Sequence, residues 1–162
     1  MLMITQDHRT AVERCVPAYM MLLMMDRCEA EGLTGRADVR HHLNVASVAP
    51  LSQLDGPTAG LLAKEVDRVS QLLIRDLHAD SAIEALYVCA TFCLLLVDEG
   101  RLPDRNNQAV LCGLLFLEDA KDEEPDVNGE RPIWSIRSKV LEDKAGRLII
   151  RANLLGYYMR PA

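Results

Sequence analysis

The chain has 162 residues, the length of one domain or of a core with a small appendage. Hydrophobic residues make up 49% and charged residues 26%, with 9 Gly and 7 Pro, which excludes collagen-like, low-complexity and fully disordered chains. A net charge of −6 excludes a uniformly basic nucleic-acid binder, because neutralising phosphate needs clustered Lys and Arg.

The first helix is expected to start after Thr5 and to end near Gly32, a residue suited to the left-handed position past a helix C-terminus. Pro17 is expected to kink or split it. The stretch from Ala18 to Met25 is apolar all round, which predicts burial on all sides or half burial in a partner. Its methionines, Met20, Met21, Met24 and Met25, form a soft surface that suits an adaptable interface, and they are the first candidate partner-binding residues.

Thr34 can cap a second helix running to about Val45, interrupted by Pro50. Asp55-Gly56-Pro57 is turn chemistry, with Pro57 placed to open a third helix over 57–77. There Leu62, Val66, Val69, Leu73 and Leu77 recur at helical spacing. Ser81 and Glu84 fit a capping box for a fourth helix ending by Gly100, and its body from Ala85 to Val97 is nearly free of polar residues. As a helix those thirteen residues span about 20 Å, short of a bilayer core, so no membrane partner is expected. That fourth helix is expected to be the central one. Pro103-Asp104 starts an expected fifth helix ending near Lys121.

Charge is segregated toward the C-terminus. Residues 1–117 carry 15 acids and 10 bases, residues 118–130 seven acids and one Lys, and residues 131–162 two acids and seven bases. Residues 122–132 read as an acidic loop, and Glu118, Asp119, Asp122, Glu123, Glu124 and Asp126 are candidates for meeting a basic surface. Beyond it the period changes to two. Residues 133–160 are expected to form a basic β-hairpin packed on a helical bundle of residues 1–121, with Lys144-Ala145-Gly146 as its loop. The competing expectation is one long helix from 133 to 159. The hairpin would gather Arg137, Lys139, Arg147 and Arg151 on one face, a candidate contact for an anion or nucleic acid.

Catalytic and cofactor chemistry is weakly represented. Asp38, His41 and His42 cluster on the second expected helix, and Asp38 and His42 share a face at a spacing that can hold a divalent metal. A site would need one or two further ligands, His78 or His8 being the available ones, and nothing in the sequence brings them together, so these are weak metal candidates and no cofactor is assigned. The five Cys lie mostly in apolar runs, which raises thiol pKa and makes them inert. No nucleophile elbow, P-loop or dinucleotide-binding glycine pattern is present. Ala37–Val48 has the outline of the first half of a helix-turn-helix, but Pro50 falls inside the would-be recognition helix and no Lys or Arg follows until Lys64, so no DNA-reading module is assigned.

The fold expectation is therefore mainly α: about five helices in a compact bundle with a C-terminal β-hairpin, or an all-α chain with a long C-terminal helix. The N-terminus lacks the basic start and cleavage site of a signal peptide, and a cytoplasmic location is expected. The functional expectation is a non-enzymatic protein-binding factor, such as an adaptor, a chaperone-like protein or an inhibitor acting by occlusion. The apolar surplus suggests a homodimer. The alternatives are a nucleic-acid-associated regulator acting through the basic C-terminal face, and a small metal-dependent enzyme.

Overall fold

The computed structural model describes residues 3–32, 37–102 and 138–153, and these are mainly helical, with no strand. Helix α1 runs from Gln6 to Ala30. Thr5 caps it: its hydroxyl accepts from the His8 N–H at 3.1 Å, and the Thr5 N–H donates to His8 Nδ1 at 3.3 Å. This is a reciprocal capping box with His in the place usually held by Glu or Gln. Pro17 is buried inside α1, which continues past it without a break in the helix. The ring removes one backbone hydrogen bond, and the apolar residues buried on both sides of it outweigh that loss. Gly32 follows the C-cap at φ +91°, the left-handed position expected of it.

Helix α2 covers Ala37–Ala46 and is followed by a 3-10 turn, Ala49–Leu51, that absorbs Pro50. Helix α3 covers Gly56–Arg75, capped by Asp55, whose carboxylate accepts from the Thr58 N–H at 2.9 Å. Its inner stripe is Leu62, Val66, Val69 and Leu73, all buried. Leu77, expected to be helical, lies just beyond the helix end and is half-buried. Helix α4 covers Ala82–Asp98, with the Ser81 hydroxyl accepting from the Glu84 N–H at 3.2 Å. Gly100 ends it at φ +74°. Every residue from Glu84 to Ala90 is buried, as its composition requires.

Helix α5, Ser138–Ala152, replaces the strands and loop expected over those residues. Leu141, Ala145, Leu148 and Ile149 are its buried face. Their spacing of four, three and one is a helical stripe that an alternating pattern can imitate over a short stretch. Lys144-Ala145-Gly146 sits within the helix, and Gly146 is not among the positive-φ glycines, the conformation that a bulged hairpin loop would demand. Ile150, which a strand period would set on the face opposite Arg147 and Arg151, is 64% exposed. The remaining parts of that expectation, 133–137 and 154–160, lie outside the described residues, as does the helix expected over 103–121.

Among the described residues α1 is the hub, packing against α2, α3, α4 and the 3-10 turn. Helix α4 lies between α1 and α5, so the central place expected of α4 alone is shared. Polar links fasten the outer pieces. Arg40 of α2 bridges Asp26 and Glu29 of α1, each at 2.6 Å. Arg101 joins Glu13 of α1 at 2.5 Å and Asn153, just past α5, at 2.6 Å. Lys144 of α5 meets the buried Glu84 of α4 at 3.1 Å. No helix among the described residues is long and apolar enough to cross a membrane.

Candidate functional site

The methionine-rich stretch is core, not surface. Met20, Met21, Met24 and Met25 are each no more than 1% exposed. Met21 Sδ lies 3.6 Å from Cys93 Sγ of α4. The expectation that these four grip a partner is therefore corrected: α1 is surrounded by its own chain and has no free methionine face. The apolar surplus that suggested a homodimer is absorbed in the same way at these residues.

Cys112 lies outside the described residues, and the four described thiols behave as the sequence predicts. Cys15, Cys28, Cys89 and Cys93 are free and buried. Burial pushes Cys15 and Cys89 up to about 12 and Cys28 to about 11, and it raises Cys93 further still. Such thiols stay protonated at neutral pH and are poor nucleophiles and metal ligands.

Asp38, His41 and His42 all fall on α2, with His41 exposed and the two imidazole rings 5.9 Å apart. No group of three or more His, Cys, Asp or Glu side chains converges on a metal-sized site among the described residues. The nearby Arg40 instead ties this helix to α1 through two carboxylates, a structural use of charge.

The acidic candidates Glu118, Asp119, Asp122, Glu123, Glu124 and Asp126 lie outside the described residues, as does Arg137. Lys139 falls in the first turn of α5. Arg147 and Arg151 are exposed on α5, one helical turn apart, so these two do share a face, on a helix and not on a ribbon.

Those two arginines border a cleft that the sequence did not announce. It has a volume of about 250 Å³ and lies between α5 and the segment leaving α3, lined by Asp76, Leu77, His78, Lys144, Arg147, Leu148, Ile150 and Arg151. A second, more open cleft of about 750 Å³ adjoins it at Leu77, running back along α3 to α1 past Arg27, Asp67, Arg68 and Arg75. The two clefts together are lined by six basic side chains, one His and two carboxylates, in a chain whose net charge is −6.

Several of these charges are already engaged. Arg68 pairs with Glu65 at 2.8 Å, and Arg151 stands 3.8 Å from Asp76. Lys144 donates to Glu84 at 3.1 Å and to the His78 carbonyl at 2.6 Å. Asp67 accepts from the Tyr19 hydroxyl at 2.6 Å, and burial together with that bond pushes Tyr19 up to about 12. Arg27, Arg75 and Arg147 have no hydrogen-bond or ion-pair partner among the described residues. The arrangement is three guanidinium groups, uncommitted among the described residues, around an apolar seam of Leu72, Leu77 and Ile150. Chemically, it can hold carboxylates or other anions next to an apolar group; guanidinium groups offer paired donors for this purpose.

Sequence reasoning found Arg147 and Arg151 and singled out His78 only as a possible metal ligand, and it missed Arg27, Arg75, Asp76 and Leu77 as site residues. No local pattern connects residues so far apart along the chain. The abrupt end of the α3 stripe at Leu77 was the one available hint. No family model, curated protein or solved structure matches the chain.

Proposed function

We propose that this protein is a non-enzymatic protein-binding factor, an adaptor or an inhibitor that occludes its partner, and that the paired clefts around Leu77 are where it meets that partner. The observation that carries this reading is the concentration of uncommitted Arg side chains beside exposed apolar surface in an otherwise acidic chain. Arginine next to apolar side chains is the composition enriched at the energetic centres of protein interfaces. The four buried free thiols fit a reducing compartment, the cytoplasm.

The alternative of a nucleic-acid-associated regulator is less well supported by this surface. Asp67 and Asp76 interrupt the cations, and a phosphate backbone favours an unbroken array of them. Affinity capture with the intact protein and with an Arg75→Glu/Arg147→Glu variant tests the reading, followed by reconstitution with the purified captured protein. The expected result is a stoichiometric complex whose affinity falls as salt rises and is lost in the variant. A complex formed equally well by the variant, or a clear preference for nucleic acid, overturns it.

A further inference from the structure

We propose that the ligand of the paired clefts is an acidic peptide segment carrying a large apolar side chain, with carboxylates against Arg27, Arg75 and Arg147 and the apolar group against Leu77 and Ile150. This rests on the protein-binding reading and deepens it by naming the chemistry of the partner.

Three features of the clefts support it. The first is charge complementarity: of the six basic side chains in the combined lining, Arg68, Lys144 and Arg151 are paired with Glu65, Glu84 and Asp76, which leaves Arg27, Arg75 and Arg147 against the single carboxylate of Asp67, and that one already accepts from the Tyr19 hydroxyl. The unmet electrostatic demand is for anions. The second is the apolar seam. Leu77 borders both clefts and is half-buried, and Ile150, on the rim of the smaller one, is 64% exposed. A purely charged ligand would leave that seam wet, whereas a Leu-sized side chain would cover it and gain from its own burial. The third is rigidity. The smaller cleft is walled by α5, and α5 is fixed to the body by Lys144 on Glu84 and on the His78 carbonyl. Lys144 therefore shapes the wall without needing the ligand, and Arg147, one turn on, projects from a fixed base. A site preformed in this way avoids the ordering cost that a mobile one would carry.

The two clefts also divide the work. The larger, open one has Arg27 and Arg75 free and suits successive carboxylates along an extended segment. The smaller one is narrower and has Leu77 and Ile150 at its surface, with the buried Leu148 behind them, so it suits the apolar anchor. A short peptide crossing Leu77 would use both.

Fluorescence anisotropy with the full chain tests this, using a labelled peptide of Glu and Gly residues with one central Leu, the same peptide with Ser in place of that Leu, and a single-stranded oligonucleotide of equal negative charge. The Leu peptide is expected to bind saturably, about tenfold or more tighter than the Ser peptide, a ratio typical of burying one such side chain. Arg147→Glu and Arg75→Glu are each expected to weaken binding of the Leu peptide several-fold, while Lys64→Glu, a change at an exposed α3 position outside both linings, leaves it unaltered. The proposal is overturned if the Leu and Ser peptides bind alike, if the oligonucleotide binds as tightly as the Leu peptide, or if neither peptide binds. In the last case a stoichiometric protein partner recovered by affinity capture would leave the broader protein-binding reading standing, so the two failures are distinguishable.

Discussion

Lys144 Nζ lies 3.1 Å from Glu84 Oε1, joining two residues 60 positions apart in the chain. Glu84 is 3% exposed and Lys144 17%. The other Glu84 oxygen accepts from the Asp80 N–H at 2.5 Å, so one carboxylate orders the start of α4 and holds α5 in place. Removing one partner of such a pair leaves the other charge uncompensated in a poorly hydrated site. Glu84→Ala is therefore expected to destabilise the protein by about 3 kcal/mol in urea denaturation. The double change Glu84→Leu/Lys144→Met is expected to recover most of that loss. A double change that costs as much as Glu84→Ala or more would overturn this account of the pair.

The methionines give a second prediction. Met24 is wholly buried between α1 and its neighbours. Met24→Ala is expected to cost about 2–5 kcal/mol of stability, the range for truncating a buried long side chain. A methionine held out for a partner would cost about 0.5 kcal/mol or less. Urea midpoints of the two proteins decide between these.

Ser70 offers a stabilising change. Its hydroxyl is buried on the inner side of α3 and has no hydrogen-bond partner among the described residues. Ser70→Ala removes an unsatisfied polar group and adds helix propensity, and is expected to gain about 1 kcal/mol. The thermal midpoint should rise; a fall would mean that the hydroxyl is bonded in solution.

The thiols set a pH dependence. Burial raises Cys15 and Cys89 to about 12 and Cys28 to about 11, while an unfolded chain releases thiol protons near pH 8.5. The folded state thus binds more protons than the unfolded state between those values. Stability from this source is fully present below about pH 8.5 and is lost as pH rises toward 11–12. The urea midpoint is expected to fall between pH 7.5 and pH 10, and thiol reagents are expected to label Cys15, Cys28, Cys89 and Cys93 in urea but not in the native protein.

The cationic clefts separate function from stability. Arg147 and Arg75 are exposed and unpaired among the described residues, so Arg147→Glu and Arg75→Glu are each expected to change stability by about 0.5 kcal/mol or less. Native circular dichroism and an unchanged urea midpoint alongside lost partner binding would locate the defect in recognition.

Much of the helical architecture was legible because its signals are local. Thr5, Asp55 and Ser81 each cap the helix they precede, and Gly32 and Gly100 each end one. The stripe of α3 and the unbroken apolar body of α4 translate directly into burial. Over 138–152 the structure takes the helical one of the two expectations, and the sequence admits both for an equally physical reason: Leu148 and Ile150 alternate with Arg147 and Arg151, so a short stretch satisfies both the strand and the helix period. The docking of Leu141, Ala145, Leu148 and Ile149 onto the bundle chooses between them. The candidate site was legible only as two arginines.

From the amino-acid order alone come the helices of the N-terminal two thirds, their caps and stops, and the inertness of the buried thiols, since each depends on neighbours within a turn or on apolarity all round. What the tertiary structure decided is which apolar surface stays free, that Glu84 serves Lys144 as well as its own helix, and that Arg27, Arg75 and Arg147 gather about Leu77. Those outcomes depend on how separate helices stack, and the energy of stacking is shared among residues far apart in the chain, so no local pattern encodes it.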